Sequence, residues 1–156
     1  MRDYKIWVAL LRLAVGGVWL FEAFPQVTAS GAYLGSGFDR AVQSMAAGNP
    51  WRFYRQFLDG IVLTHAAVFS YLTLVGNVLV GLCLLVGLLT PYTALIAIFL
   101  NLNYGLAAGW MDRQAYPLNG LLIICELVIL ALAAGRVAGV DAIFGAGPSR
   151  ARSRRY

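Results

Sequence analysis

Charged residues are scarce in this 156-residue chain: they make up 12% of it and hydrophobic residues 60%, where a soluble globular domain carries about a quarter and about half. The shortage, with a mean hydropathy of +0.72, excludes a soluble catalytic domain and implies an integral membrane protein. Histidine occurs once, as His65, and cysteine twice, as Cys83 and Cys125, each inside an apolar run and without a CxxC spacing. A lone imidazole with no matching Cys or carboxylate pattern excludes a metal centre, the separated thiols disfavour a dithiol mechanism, and no flavin, haem or iron–sulfur motif is present. Both thiols read as small buried hydrophobes.

Long apolar stretches fill the chain instead. They predict four spans at about residues 4–25, 62–89, 91–110 and 117–137, which in hydrocarbon must be helices and, with short connections, form an all-α up-down bundle. The first run has Arg2 and Lys5 before it, but Arg12 interrupts it and no cleavage site follows, so it reads as a span ending at Pro25 rather than a signal peptide. The small residues 28–37 suit a loop. Residues 38–59 are amphipathic: Phe38, Ala41, Val42 and Met45 recur at helical spacing, Asn49 and Pro50 form a helix start, and Trp51, Tyr54, Phe57 and Leu58 lie opposite Arg52, Arg55 and Gln56. Two short helices at headgroup level fit this segment, with a soluble loop as the alternative. Thr90 and Pro91 start the third span. Ala97, Asn101, Gly105 and Gly109 fall on one face, and Gly16, Gly17, Gly76 and Gly81 offer a similar close approach in the first two spans.

The formal net charge of +5 is concentrated at the end, where Arg150, Arg152, Arg154 and Arg155 follow Gly145, Gly147 and Pro148. This divides the chain into a membrane domain, residues 1–144, and a basic disordered tail, residues 145–156, suited to anionic headgroups rather than nucleic acid. Arg2, Lys5, Arg136 and the tail arginines outnumber Arg40, Arg52, Arg55 and Arg113 on the opposite side, which puts both termini in the cytoplasm.

Polar side chains inside the spans are costly and therefore informative. Arg12 and Glu126 lie at depths that allow an ion pair across the bundle or a ligand role for each. Glu22 falls level with His65, Arg52 and Arg55 under Trp51 and Tyr54; such a cluster suits a quinone headgroup, whose carbonyls need donors and whose reduction takes up protons. The plainer alternative has the two arginines neutralising Glu22. Asn77, Asn101 and Asn103 add hydrogen-bonding groups, and Asn101 and Asn103, two residues apart, point to nearly opposite faces, so that only one is expected in any pocket. The candidate site thus comprises Glu22, His65 and Glu126 for proton transfer and Arg12, Trp51, Arg52, Arg55, Asn77 and Asn101 for binding, with no metal.

Five segments in order carry a resemblance: LRLAVGGVWLFEAF (11–24), NPWRFYRQFLDGIV (49–62), VGNVLVGLCLLVGLLTP (75–91), LNLNY (100–104) and AAGRVAGVDAIF (133–144). Through them the chain resembles the DoxX/DoxD-like family of small four-helix membrane proteins, and more closely its DoxD branch, the small subunit of thiosulfate:quinone oxidoreductase. The resemblance implies a prokaryotic inner-membrane protein, quinone as acceptor for electrons from a sulfur compound, and a partner subunit or a homo-oligomer. A non-catalytic structural or assembly subunit is the alternative it leaves open. One departure stands out: family members often carry glutamate where this chain has Asn77, leaving Glu22 and Glu126 as the membrane carboxyls.

Overall fold

The structure, a computed structural model, describes residues 3–112 and 114–145, so the arginine-rich tail, Arg2 and Arg113 lie outside the described residues. Every element among the described residues is helical. In order these are α1 (Asp3–Thr28), α2 (Ser30–Ala32), a π turn (Tyr33–Gly37), α3 (Phe38–Ala47), α4 (Arg52–Phe57), a second π turn (Leu58–Val62), α5 (Ala66–Val86), α6 (Thr90–Ala108), α7 (Ala115–Ala131), a short 3-10 turn (Ala134–Arg136) and α8 (Val140–Gly145).

Three helices, Tyr4–Thr28, Ala66–Val86 and Thr90–Ala108, are long and apolar enough to cross a membrane, and Tyr116–Ala131 is a shorter apolar helix. The last is shorter than the expected 117–137 because the chain leaves the helix at Ala133, which takes a left-handed φ of 46°. At the other extreme α1 runs through Pro25 instead of stopping there. Proline removes one donor near the helix end but leaves its carbonyl, and Ala29 N–H donates to it at 3.0 Å. Residues expected as a loop then continue, after a turn at Ala29, as α2 and the first π turn, with a further break at Gly35.

The four long helices pack in a ring: α1 on α5, α5 on α6, α6 on α7 and α7 back on α1. Large apolar side chains point outward all round it, Phe21 at 77% exposure among them, while Arg12, Asn77, Asn101 and Glu126 are buried. Apolar outside and polar inside is the reverse of a soluble protein and the pattern that lipid requires. The inner core joins Val8, Val15, Trp19, Val80, Leu84, Ala97 and Ile129. A second cluster, built on Phe38, Val42, Tyr54, Leu58 and Val62, seats the α3–α4 hairpin against the far end of α6. Asn49 fixes that seat. Its Oδ1 accepts from Trp51 N–H at 2.9 Å, and its Nδ2 donates to the Leu106 and Ala107 carbonyls at 2.9 and 3.3 Å, satisfying two groups at the end of α6.

The opposite end of the ring is closed by the segment after α7. Asp141 accepts from the Leu89 and Thr90 N–H groups at 2.7 and 2.8 Å, capping α6. Its own N–H donates to the Gly87 carbonyl, while Arg12 Nη2 donates to the Ala138 carbonyl at 3.1 Å. Gly87, with φ 71°, has to be glycine on two counts: the left-handed backbone, and the Arg12 guanidinium where a Cβ would sit. Partial burial works against the Asp141 carboxylate, but hydrogen bonding by Thr90 and Leu89, with Arg12 nearby, outweighs it and holds the pKa below the usual range.

Two expectations follow. Of the four glycines in the first two spans, Gly16 and Gly81 make the close approach: a Cβ on Gly81 would lie 2.6 Å from Leu20 Cδ2, whereas Gly17 has open space and Gly76 ordinary contact. Gly81→Val will therefore lower stability by about 1–3 kcal/mol, and Gly76→Val by much less, in thermal unfolding in detergent. Asp141→Ala will cost about 1–2 kcal/mol at neutral pH. Because the folded carboxylate binds its proton more weakly than the unfolded one, the wild type keeps this contribution above the unfolded carboxylate range of about 4 and loses it as the pH falls below that, through the lowered folded pKa, and Asp141→Asn shows no matching loss.

Candidate functional site

Three helices meet at Glu126. On α7 it is fully buried, and its Oε1 accepts from Trp19 Nε1 of α1 at 2.9 Å and from Asn101 Nδ2 of α6 at 2.8 Å. Its Oε2 has no hydrogen-bond partner among the described residues. Nearer the hairpin a second polar rung joins α6, α5 and α1: the Tyr104 hydroxyl donates to Asn77 Oδ1 at 2.6 Å, and Asn77 Nδ2 donates to Gln26 Oε1 at 3.1 Å. The Trp19 and Tyr104 rings, 6.3 Å apart, connect the two rungs.

Around these groups lies a cavity of about 600 Å³. Four-helix residues such as Trp19, Leu100 and Leu122 form one side, and Phe38, Val42, Tyr54 and Phe57 of the hairpin form the other. Glu22, Gln26, Thr73, Asn77, Asn101, Asn103, Tyr104, Asp112, Gln114 and Asn119 are among the polar residues of a mostly apolar wall. This size and make-up suit a flat, largely apolar molecule with a few hydrogen-bonding atoms.

The cavity brings together some of the side chains singled out from the sequence and leaves others aside. Glu22, Asn77 and Asn101 line it, and Glu126 stands directly behind Trp19 and Asn101. Asn103 lines it too, against the expectation drawn from its spacing. The reason is that the cavity extends sideways to the hairpin, where Tyr54 donates to Asn103 Oδ1 at 3.1 Å. Arg12 sits seven residues before Trp19, about 10 Å along α1, and bonds the segment after α7 rather than Glu126. His65 precedes α5, exposed, with its Nδ1 3.1 Å from the Ile61 carbonyl of its own chain segment. Trp51, Arg52 and Arg55 are exposed on the outside of the hairpin, since α4 turns Tyr54 inward; Trp51 Nε1 reaches the Tyr116 hydroxyl at 3.4 Å. Cys83 and Cys125 are free, and among the described residues no three His, Cys, Asp or Glu side chains converge as metal ligands.

Trp19, Gln26, Tyr33 and Tyr104 are cavity residues that the sequence reading passed over. Trp19, Glu22 and Gln26 fall at i, i+3 and i+7 of α1, a hydrogen-bonding stripe that the helical repeat makes readable. Tyr33 had no such signal, because its position depends on the π turn. Burial pushes its phenol up to about 12 and shifts that of Tyr54 upward as well, so both stay protonated at neutral pH.

Comparison with curated proteins and with solved structures finds no match to either. A family model described as TQO small subunit DoxD does match, over residues 7–147. That range takes in all four long helices, the hairpin and both polar rungs, and the chain belongs to the DoxD family.

Proposed function

We propose that this protein is a quinone-interacting membrane subunit of an oxidoreductase of the thiosulfate:quinone kind, crossing a prokaryotic inner membrane four times with both termini in the cytoplasm. The observation that carries the reading is the cavity: about 600 Å³ among apolar helices, walled by aromatics, with amide, hydroxyl and carboxyl groups in its lining. A quinone ring is flat and apolar with two acceptor oxygens, and its reduction to a quinol takes up two electrons and two protons. The Asn77 and Asn101 amides would orient the ring, Trp19 and Tyr54 would stack beside it, and Glu22 and Glu126 would carry protons. Arg12 serves the closed end. His65, Trp51, Arg52 and Arg55 belong to the exterior, where the hairpin's basic face would meet lipid headgroups or dock a partner that carries the sulfur chemistry, in a complex or homo-oligomer. At 17 residues α7 is about 25 Å long, enough for a short span in a locally thinned bilayer.

The family description names a small subunit, which supports a partner, and the fully hydrogen-bonded Oε1 of Glu126 supports a second reading in which the polar rungs only hold a structural or assembly subunit together. Quinone binding separates the two. A short-tailed quinone should quench tryptophan fluorescence of the detergent-solubilised protein saturably, and Trp19→Phe should remove at least about half of that quenching; no saturable quenching favours the structural subunit. Glu22 makes no hydrogen bond to a described residue, so Glu22→Gln will change stability by less than about 0.5 kcal/mol while weakening or altering the pH dependence of quinone binding. Glu126→Leu strands the Trp19 and Asn101 donors and will cost about 2–4 kcal/mol, measured by thermal unfolding, whereas Glu126→Gln keeps an acceptor for both.

A further inference from the structure

The cavity wall carries three tyrosines, Tyr33, Tyr54 and Tyr104, and their hydroxyls are not equivalent. Tyr104 spends its proton on Asn77 Oδ1 at 2.6 Å, and Tyr54 spends its own on Asn103. Tyr33 makes no hydrogen bond to any described residue; its ring packs edge-on against Phe38, 5.8 Å between centroids, and its phenol lies close enough to Tyr104 for the two to interact electrostatically. The Tyr33 phenol, half-buried on the cavity wall and without an acceptor among the described residues, keeps its proton available to whatever occupies the cavity. The turn that carries it is also unusual. Residues Tyr33–Gly37 form a π turn packed against α5, with Gly35 out of helical geometry, and single π turns inside helical segments are frequent at functional sites. Thr73 of α5 lines the same cavity with a hydroxyl that makes no hydrogen bond to a described residue.

We infer that Tyr33 is the residue that recognises the ligand's ring carbonyl, donating its hydroxyl to that oxygen, with Thr73 as a second donor on the same wall. The inference rests on the quinone reading above and adds to it an orientation: the headgroup oxygen points to the hairpin side of the cavity, between the first π turn and α5. It also gives a basis for selectivity. A hydrocarbon of the same shape would fill the apolar wall equally well but leave the Tyr33 donor buried and unpaired, which costs affinity.

The test compares two probes on the detergent-solubilised full chain, a naphthoquinone and the dimethylnaphthalene of matching shape, by equilibrium binding. Wild type should prefer the naphthoquinone by about tenfold, and Tyr33→Phe should reduce that preference to about threefold or less, through loss of naphthoquinone affinity with hydrocarbon affinity kept. Thr73→Val should give a smaller change in the same direction, and Tyr71→Phe, on the outer face of α5, none. Equal preference in wild type and Tyr33→Phe overturns this assignment and leaves the quinone reading standing. A wild type that binds both probes alike, or neither, overturns both.

Discussion

Glu126 accepts two hydrogen bonds on one oxygen at the point where α1, α6 and α7 come together, and it is completely buried there. A carboxyl placed among apolar helices is tolerable only when neighbours supply donors, so the helices that carry those donors have their rotation fixed. Trp19 has to face inward for this reason, and Glu22 and Gln26 come round to the same face with it. The Asn77–Tyr104–Gln26 rung then brings α5 into the arrangement. Neither rung fills the space between helices as leucine or phenylalanine would, and the aromatic side of the hairpin closes over what is left. The cavity is thus the outcome of polar groups holding the ring in one registration while bulky side chains cover it from outside.

The two ends of the ring are built on different physics. At one, Arg12, Gly87, Ala138 and Asp141 interlock so closely that a Cβ at Gly87 or Gly139 would run into the guanidinium. Leu89, Ala133 and Ala138 hold positive φ values around this end, a strain that the Asp141 cap and the Arg12 contact offset. At the other, the hairpin is held to α6 through Asn49 and Tyr54 and rests on α5 through the Phe57–Phe69 ring pair, while its two junctions with the long helices include π turns. One end is thus locked by hydrogen bonds around Arg12 and Asp141, and the other is covered by the aromatic side of the hairpin.

Much of this was readable in the amino-acid order. Apolar runs marked the long helices, the 3.6-residue recurrence of Phe38, Val42 and Tyr54-centred positions marked the hairpin, and the interior placement of Arg12, Asn77, Asn101 and Glu126 followed from the cost of exposing them to lipid. Partner choice was harder. Arg12 and Glu126 are opposite charges at plausible depths, yet each finds other company, because a helix of mixed Leu, Val and Ala gives little indication of how far it is shifted along its neighbour. The segment after α7 was equally opaque: only the folded chain reveals that Asp141 reaches the start of α6, since its two acceptor bonds run to residues more than fifty positions earlier. Pro25 and the first π turn were misjudged for a local reason, that a proline or glycine in helical sequence weakens one hydrogen bond without dictating what the next residues do.

The Asp141 cap has a consequence for biosynthesis. Thr90 leaves the ribosome 51 residues before the carboxylate that satisfies its N–H, so α6 enters the bilayer with its first turn unfinished. Only when translation has passed Asp141 can the helix be sealed and Arg12, made first of all, receive its counter-charge. The segment around Asp141 therefore acts as a checkpoint, joining an early and a middle part of the nascent chain in one late event.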